Sequence, residues 1–319
     1  MLLACLAMLV DALTGEPKWL YSRIKHPVSW MAAILMFLER RFNKPSRKRS
    51  VRKFLGTASI LVLILLWGTA AWAAENAIKG YVVAPYSLLF VALIASVFIA
   101  ARSLFEHINL VKNALDRQSL EDARCAVGMV VGRETVDLDE LAVSRAATES
   151  LAENFSDGVI APLFWLLTGG LPGLVIYKMV NTADSMIGHK TERFRDFGWA
   201  SAKLDDAMNL LPARMTALLL ASGAFGLRIP SAFQGLKVAF KDANLHTSPN
   251  AGWPEATIAG LLKARLGGPR TYGAGQREEY AWLGADFPET NQPDLGLALC
   301  IVKASWLALF VLLLVGGVW

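Results

Sequence analysis

Cysteine is scarce in this 319-residue chain, and its placement excludes two chemistries. Cys5, Cys125 and Cys300 stand apart, with no CxxC pair and no Cys/His spacing, so neither a disulfide framework nor a zinc site is expected. Charge is scarce as well: 18% of residues are Asp, Glu, Lys or Arg, against about 25% in a soluble domain. Hydrophobic residues make up 54% and mean hydropathy is +0.40, a composition that points to a membrane protein. There is no Walker-type phosphate loop, because GHKT at 188–191 lacks the GxxxxGK[ST] spacing. Internal repeats and low-complexity tracts are absent, and no cleavable leader is expected, since too little precedes Cys5 to form one.

What is present is long apolar sequence. Segments 54–74, 82–101 and 297–318 each approach the ~20 residues a spanning helix needs, and the opening stretch 1–20 is a weaker fourth candidate. Two more, 158–180 and 207–227, are compromised. The first carries Gly169-Gly170-Leu171-Pro172-Gly173 at its centre, and the second holds Asn209, Pro212 and Arg214. The expected fold is all-α: one polytopic membrane domain over 1–319, with broken or re-entrant segments and helical or looped polar regions that form a site. The net charge of +5 is concentrated in loops such as 39–53, ERRFNKPSRKRSVRK, which reads as a cytoplasmic, lipid-facing collar rather than a nucleic-acid surface. Segment 75–81 then lies outside, 158–180 folds back at Gly169–Gly173, and 207–227 lies as a broken or interfacial element. The polar blocks 102–157, 181–206 and 228–296 then share the cytoplasmic side, the last reading as loops around one short helix.

Four constellations could carry chemistry. In RAATESLAENFSDGVIAPLFW (145–165), Glu149, Glu153 and Asp157 fall at i, i+4 and i+8, nearly one helical face beside membrane-grade sequence. Stacked carboxylates there are best tolerated when a metal or a basic substrate occupies the face. In NTADSMIGHK, Asn181, Asp184, Ser185 and Gly188 share a second face, followed by Lys190. In AKLDDAMNLLPAR, Asp205 and Asp206 are flanked by Lys203 and Arg214. Acids on three such elements suit a hard, oxygen-liganded cation such as Mg²⁺ that bridges to substrate phosphates. In SPNAGWPEA, Ser248, Asn250 and Gly252 precede Pro254-Glu255 as a tight loop opening a helix, a place where backbone N–H groups suit phosphate or carboxylate.

The runs GRETVDLDELAVSRAATESLAENFSDGVIAPLFW, KMVNTADSMIGHKTERFRDFGWASAKLDDAMNLLPAR and SPNAGWPEATIAGLLKARLGGPRTYG resemble the signature blocks of the adenosylcobinamide-phosphate synthase (CobD/CbiB) family of cobalamin biosynthesis. DALTGEP and KHPVSWM resemble its N-terminus, so the likeness covers most of the chain in the expected order. Phe155, inside AENFSDG, departs from the small polar residue expected there. The resemblance implies a multi-pass protein of the cell inner membrane that uses ATP and Mg²⁺ to join the propionate carboxylate of adenosylcobyric acid to aminopropanol phosphate or ethanolamine phosphate. Membrane lipid and other membrane enzymes of late cobalamin assembly are the implied partners, and nucleic acid is not. From the spacing and charge of these residues, Glu149, Glu153, Asp157 and Lys190 are expected to be catalytic. Asp184, Asp205, Asp206 and Glu153 are the expected metal ligands. Asn181, Asp184, Ser185, Lys203, Arg214, Ser248, Asn250, Gly252 and Glu255 are expected around the nucleotide, and the division of roles stays open. Two other readings compete: a non-catalytic membrane sensor of the beta-lactamase-induction type, which would have lost the acids, and a transporter.

Overall fold

The computed structural model describes residues 1–272, 276–278 and 280–317, and for Lys18, 270–272 and 276–278 it describes the backbone alone. The Gly273–Gly275 tip of the expected Gly/Pro-rich loop and Val318, the end of the third expected span, lie outside the described residues. The first helices are α1 (Leu2–Thr14), α2 (Lys18–Tyr21), α3 (Pro27–Phe42), α4 (Arg49–Tyr81), α5 (Tyr86–Ser96), α6 (Ala101–Asp116) and α7 (Leu120–Gly128). Next come α8 (Glu140–Phe155), a π-helical turn at Ser156–Ile160, α9 (Ala161–Ile187), α10 (Trp199–Met208) and α11 (Leu210–Gly226). The chain closes with α12 (Ala232–Asp242), α13 (Gly252–Leu262) and α14 (Leu295–Gly316). Four strands of two or three residues, β1 (Leu266–Gly267), β2 (Arg270–Tyr272), β3 (Gln276–Glu278) and β4 (Trp282–Leu283), form two antiparallel ladders, β1 with β4 and β2 with β3. Helix takes 73% of the residues, so the fold is all-α, as the sequence implied.

Among the described residues, four helical runs are long and apolar enough to cross a membrane: Arg49–Tyr81, Tyr86–Asp116, Glu140–Ile187 and Leu295–Gly316. The opening stretch is not among them. α1 has 13 residues, about 20 Å of helix at 1.5 Å per residue, against a hydrocarbon core of about 30 Å. Its chain turns at Gly15, whose φ of 53° ends the helix. α11 also differs from expectation: its 17 residues form a continuous helix. Pro212 sits in the first turn, where a missing N–H breaks no intrahelical bond. The polar block 228–296 holds two helices, α12 and α13, and the two ladders, rather than loops around one short helix.

The chain divides into two compact units, one of residues 1–100 and 161–209, the other of 101–160 and 210–319. In the first, α4 packs on α3, α9 and α10, and α1 on α5. α9 is interrupted at Gly170, with φ 61° and ψ −157°, a combination that a side chain rarely adopts. The chain doubles back there: a Cβ on Gly173 would fall 2.5 Å from the carbonyl of Trp165. In an unbroken helix these residues would lie about 12 Å apart. The buried Glu75 of α4 accepts the Leu171 N–H at 3.1 Å, capping the second arm, and Lys79 pairs with it at 2.6 Å. Pro172 stands in the first turn of that arm, where it is tolerated. Glycine, proline and a capping carboxylate together turn an apolar run back on itself.

In the second unit α12 lies on α13, α11 on α13 and α14, and α8 on α6, α7, α13 and α14. Asp139 starts α8 as an N-cap, accepting the Ala142 N–H at 2.7 Å, with Glu140 in the first turn, where an acid suits the helix dipole. Phe155, the departure from the family pattern, is fully buried.

Candidate active site

A buried polar cluster of the first unit lies between the second arm of α9 and α10. Tyr177, fully buried, donates its hydroxyl to Asn209 Oδ1 at 2.9 Å. Asn209 donates Nδ2 to Asp205 Oδ2 at 2.9 Å, and Asn181 reaches Asp205 Oδ1 at 3.4 Å. Asp205 is therefore oriented by two amides, and it is only 9% exposed. Desolvation pushes its carboxyl up from 3.8 to about 7; the negative charge of Asp184 adds to this, and the two asparagines partly offset it. Asp184 and Asp205 thus form a coupled pair of acids, one on each helix. Asp206, next in sequence, instead pairs with Lys203 at 3.2 Å on the outer side of α10. Ser185 bonds back to the Asn181 carbonyl, and Lys190 is exposed in the loop after α9. Gly188 lies against the Asp184 carboxylate: a Cβ there would meet Oδ1 at 1.9 Å.

The loop that follows, 188–198, is held by residues that sequence reasoning missed. Glu39 of α3, 1% exposed, takes Arg193 Nη2 at 2.8 Å and Asn43 Nδ2 at 2.8 Å. Burial raises the Glu39 carboxyl, but Arg193, Asn43 and Arg40 outweigh it and hold it below its ordinary value. Asn43 also donates to the Arg193 carbonyl, while Arg52 donates to Asn43 Oδ1 and the carbonyls of Glu192 and Arg193. Arg49 and Arg52 both pair with Asp196, and Lys53 sits 3.5 Å from the centre of the Trp199 ring. The basic segment 39–53 is therefore a clamp on the polar loop, and not solely a topological signal.

In the second unit, Glu149 is 5% exposed and holds two neighbours: Arg133 at 3.3 Å, and the backbone N–H of Gly267 at 2.7 Å. Ser150 beside it takes the Val130 carbonyl, so α8 anchors both the 129–139 loop and β1. Glu153 is exposed and Asp157 half-buried. The regular helix ends at Phe155, and the π-helical turn changes the repeat at Asp157. The face shared by Glu149 and Glu153 is thus altered at the third acid, and such turns mark functional stretches of helices.

The SPNAGWPE segment opens α13 as expected, with Pro254 and Glu255 in the first turn. Ser248 Oγ accepts the N–H groups of Asn250 and Ala251 at 3.2 Å each, so two of the donors expected to meet an anion are satisfied within the loop. His246 accepts the Ser248 N–H on Nδ1 and lies 3.7 Å from Glu255 Oε1 through Nε2. Gly252 permits the approach of the preceding turn, since a Cβ would fall 2.2 Å from the Ala243 carbonyl. Arg214 stacks 4.8 Å from the Trp253 ring and donates to the Leu210 carbonyl.

Among the described residues no group of three His, Cys, Asp or Glu side chains converges as a ready metal cage. Mg²⁺ does not require one, because it commonly binds one or two carboxylates and completes its shell with water and substrate phosphate. The Asp184–Asp205 pair, with Asp205 desolvated and the charge of the half-buried Asp184 acting on it, has the hard oxygen donors for that mode.

These features define a polytopic, all-helical membrane protein whose polar, acid-bearing elements sit at the ends of apolar helices. More narrowly, the chain belongs to the CobD/CbiB family, whose model, described as CobD/Cbib protein, matches residues 4–302. It is similar to the cobalamin biosynthesis protein CobD of Sinorhizobium sp, 44% identical over 316 residues, covering 98% of this chain and 97% of that one. The protein of the same description from Rhizobium meliloti is 47% identical over 280 residues, with 88% and 85% covered. The one from Rhodobacter capsulatus is 42% identical over 303 residues, with 93% and 90% covered. No solved structure matches the chain. Family membership supports a biosynthetic enzyme role in the cobalamin pathway.

Proposed function

We propose that this protein is an ATP- and Mg²⁺-dependent amide ligase that joins the propionate carboxylate of adenosylcobyric acid to aminopropanol phosphate or ethanolamine phosphate. The observation that carries the reading is the coupled pair Asp184 and Asp205, oriented by Asn181, Asn209 and Tyr177 in a chain of this family. A carboxylate is a poor electrophile, so amide formation needs activation. Transfer of the ATP γ-phosphoryl group to the propionate gives an acyl phosphate, and the amine displaces phosphate from it. The nitrogen gains the acyl bond and loses one proton, and ADP and inorganic phosphate leave.

Asp184 and Asp205 would hold Mg²⁺, which when bound neutralises phosphate charge. Asn181 and Asn209 fix the orientation of Asp205 so that both oxygens stay placed. Lys190, exposed beside this pair in sequence, is assigned to the transferring phosphoryl oxygens, and Lys203 keeps Asp206 on the outer face of α10. Glu153 and Asp157, which border the π-helical turn, are assigned to accepting the amine proton. Glu149 positions β1 and the 129–139 loop. The polar blocks are assigned to the cytoplasmic side of the inner membrane, where ATP is available.

The test is direct. Purified protein in detergent receives adenosylcobyric acid, aminopropanol phosphate, ATP and Mg²⁺, and mass spectrometry follows the amide. Product that requires all four supports the reading. Corrinoid left unaltered by protein shown to be folded would refute it, and would return the sensor and transporter readings to consideration.

A further inference from the structure

Eight of the fifteen residues 39–53 are Lys or Arg, and the clamp on loop 188–198 accounts for only some of them. Arg49, Arg52 and Lys53 face Asp196, loop carbonyls and Trp199. Arg40, Arg41, Lys44 and Lys48 are exposed and make no ion pair among the described residues. The acids beside them are already engaged: Glu39 is buried against Arg193, and Asp196 is shared by Arg49 and Arg52. The same region exposes large apolar side chains, Phe37 at 65% and Phe54 at 71%, and α4 begins its apolar run here. Exposed cations without an ion pair, in the same segment as exposed aromatic side chains at the start of a spanning helix, fit one ligand chemistry, a phosphate group carried on an acyl chain.

We propose that Arg40, Arg41, Lys44 and Lys48 bind the headgroup of an anionic phospholipid, and that this binding steadies loop 188–198 through the α3–α4 clamp. The headgroup takes the four exposed cations, while Phe37 and Phe54 lie against its acyl chains. This leaves Arg49, Arg52 and Lys53 to the loop. Neutralising the four neighbouring charges lowers the repulsion that otherwise drives α3's last turn away from the start of α4. Asn43 and Arg52, which join those two helix ends to the Arg193 carbonyl, are thereby held in place. The proposal concerns the loop that carries Lys190 and so extends the ligase reading, but its test reads lipid and loop without turnover.

The full chain is reconstituted in phosphatidylcholine nanodiscs that contain either pyrene-labelled phosphatidylglycerol or pyrene-labelled phosphatidylcholine. Energy transfer from tryptophan measures which lipid is enriched at the protein. We expect about fivefold enrichment of phosphatidylglycerol, falling to about onefold in the R40Q/R41Q/K44Q/K48Q variant and at high salt. Hydrogen exchange over 188–198 should slow several-fold when unlabelled phosphatidylglycerol is added to the wild type, and should not respond in the variant. Equal enrichment of the two lipids in the wild type overturns the proposal. So does protection of the loop by inorganic phosphate alone in phosphatidylcholine discs, which would assign the collar to a soluble anion. If the fourfold variant fails to assemble, the charge-conserving R40K/R41K form, which should keep the preference, and the single K44Q form, which should lower it, give the same discrimination.

Discussion

Asp205→Asn should separate the stability of this protein from its turnover, because burial and the charge of Asp184 disfavour the ionised carboxylate, a cost that a proton or a bound cation would relieve. The Asp205 carboxyl is raised from 3.8 to about 7, first by desolvation and then by Asp184. A raised native value means that the folded chain binds the proton more tightly than the unfolded chain does. The stability this contributes is present at low pH and is lost as pH rises from about 4 through about 7. Between about pH 5 and about pH 8 the native carboxyl gives up its proton while the unfolded one stays ionised throughout. From pH 5 up to the native value of about 7 this amounts to about two units, or about 2.7 kcal/mol at ~1.4 kcal/mol per unit. The asparagine variant has no proton to lose and should show none of this decline. It also gives up the acceptor that faces Asn209 Nδ2, about 1 kcal/mol, but equally at both pH values. Thermal unfolding in detergent without Mg²⁺ should therefore drop by roughly 5 °C from pH 5 to pH 8 more in the wild type than in the variant. Added Mg²⁺ should restore the wild type at the higher pH and leave the variant unmoved, while ligase turnover in the variant falls. A variant whose melting temperature tracks the wild type across the whole pH range would show that the ionised Asp205 carries no such cost, and the metal assignment would go with it.

Other expectations follow from the same geometry. Gly170→Ala forces a side chain into a backbone conformation suited to glycine and brings its Cβ 3.0 Å from Glu75 Oε2; a loss of about 3 kcal/mol is expected in a reversible unfolding assay, and a silent substitution would mean the chain does not reverse there. Glu149→Gln keeps an acceptor for Gly267 but loses the Arg133 charge, so it should lower stability by about 1–3 kcal/mol together with activity. Glu153→Gln and Asp157→Asn should instead lower turnover by about 100-fold or more with the melting temperature unchanged, and normal kinetics in both would remove them from proton transfer. Topology is best probed at Glu192 and Thr247, both exposed. Cysteines at both should resist an impermeant reagent in intact cells and react after the membrane is opened.

Much of this architecture could be read from residue patterns whose physical cause is local. The run GGLPG signalled a break because glycine and proline act through their own backbone, and the break falls at Gly170. Residues that act through distant partners stayed hidden. Glu75 looked like the polar end of a spanning helix, yet it caps a turn 96 positions away, and Glu39 looked like one acid in a basic loop, yet it is the buried partner of Arg193. A weak trace of the second was available: a lone acid inside a dense cluster of bases is seldom left facing solvent. The three-acid face beginning at Glu149 shows the opposite error, because ideal helical spacing assigned one environment to side chains that the fold treats differently. Glu149 is buried and paired, Glu153 exposed, and Asp157 set off by a π-helical turn that no periodicity would reveal. The Asp184–Asp205 pair lies between these cases. Its members were picked out one helix at a time, but only the folded chain brings the charge of one to bear on the other, and that coupling is the property on which the proposed chemistry depends.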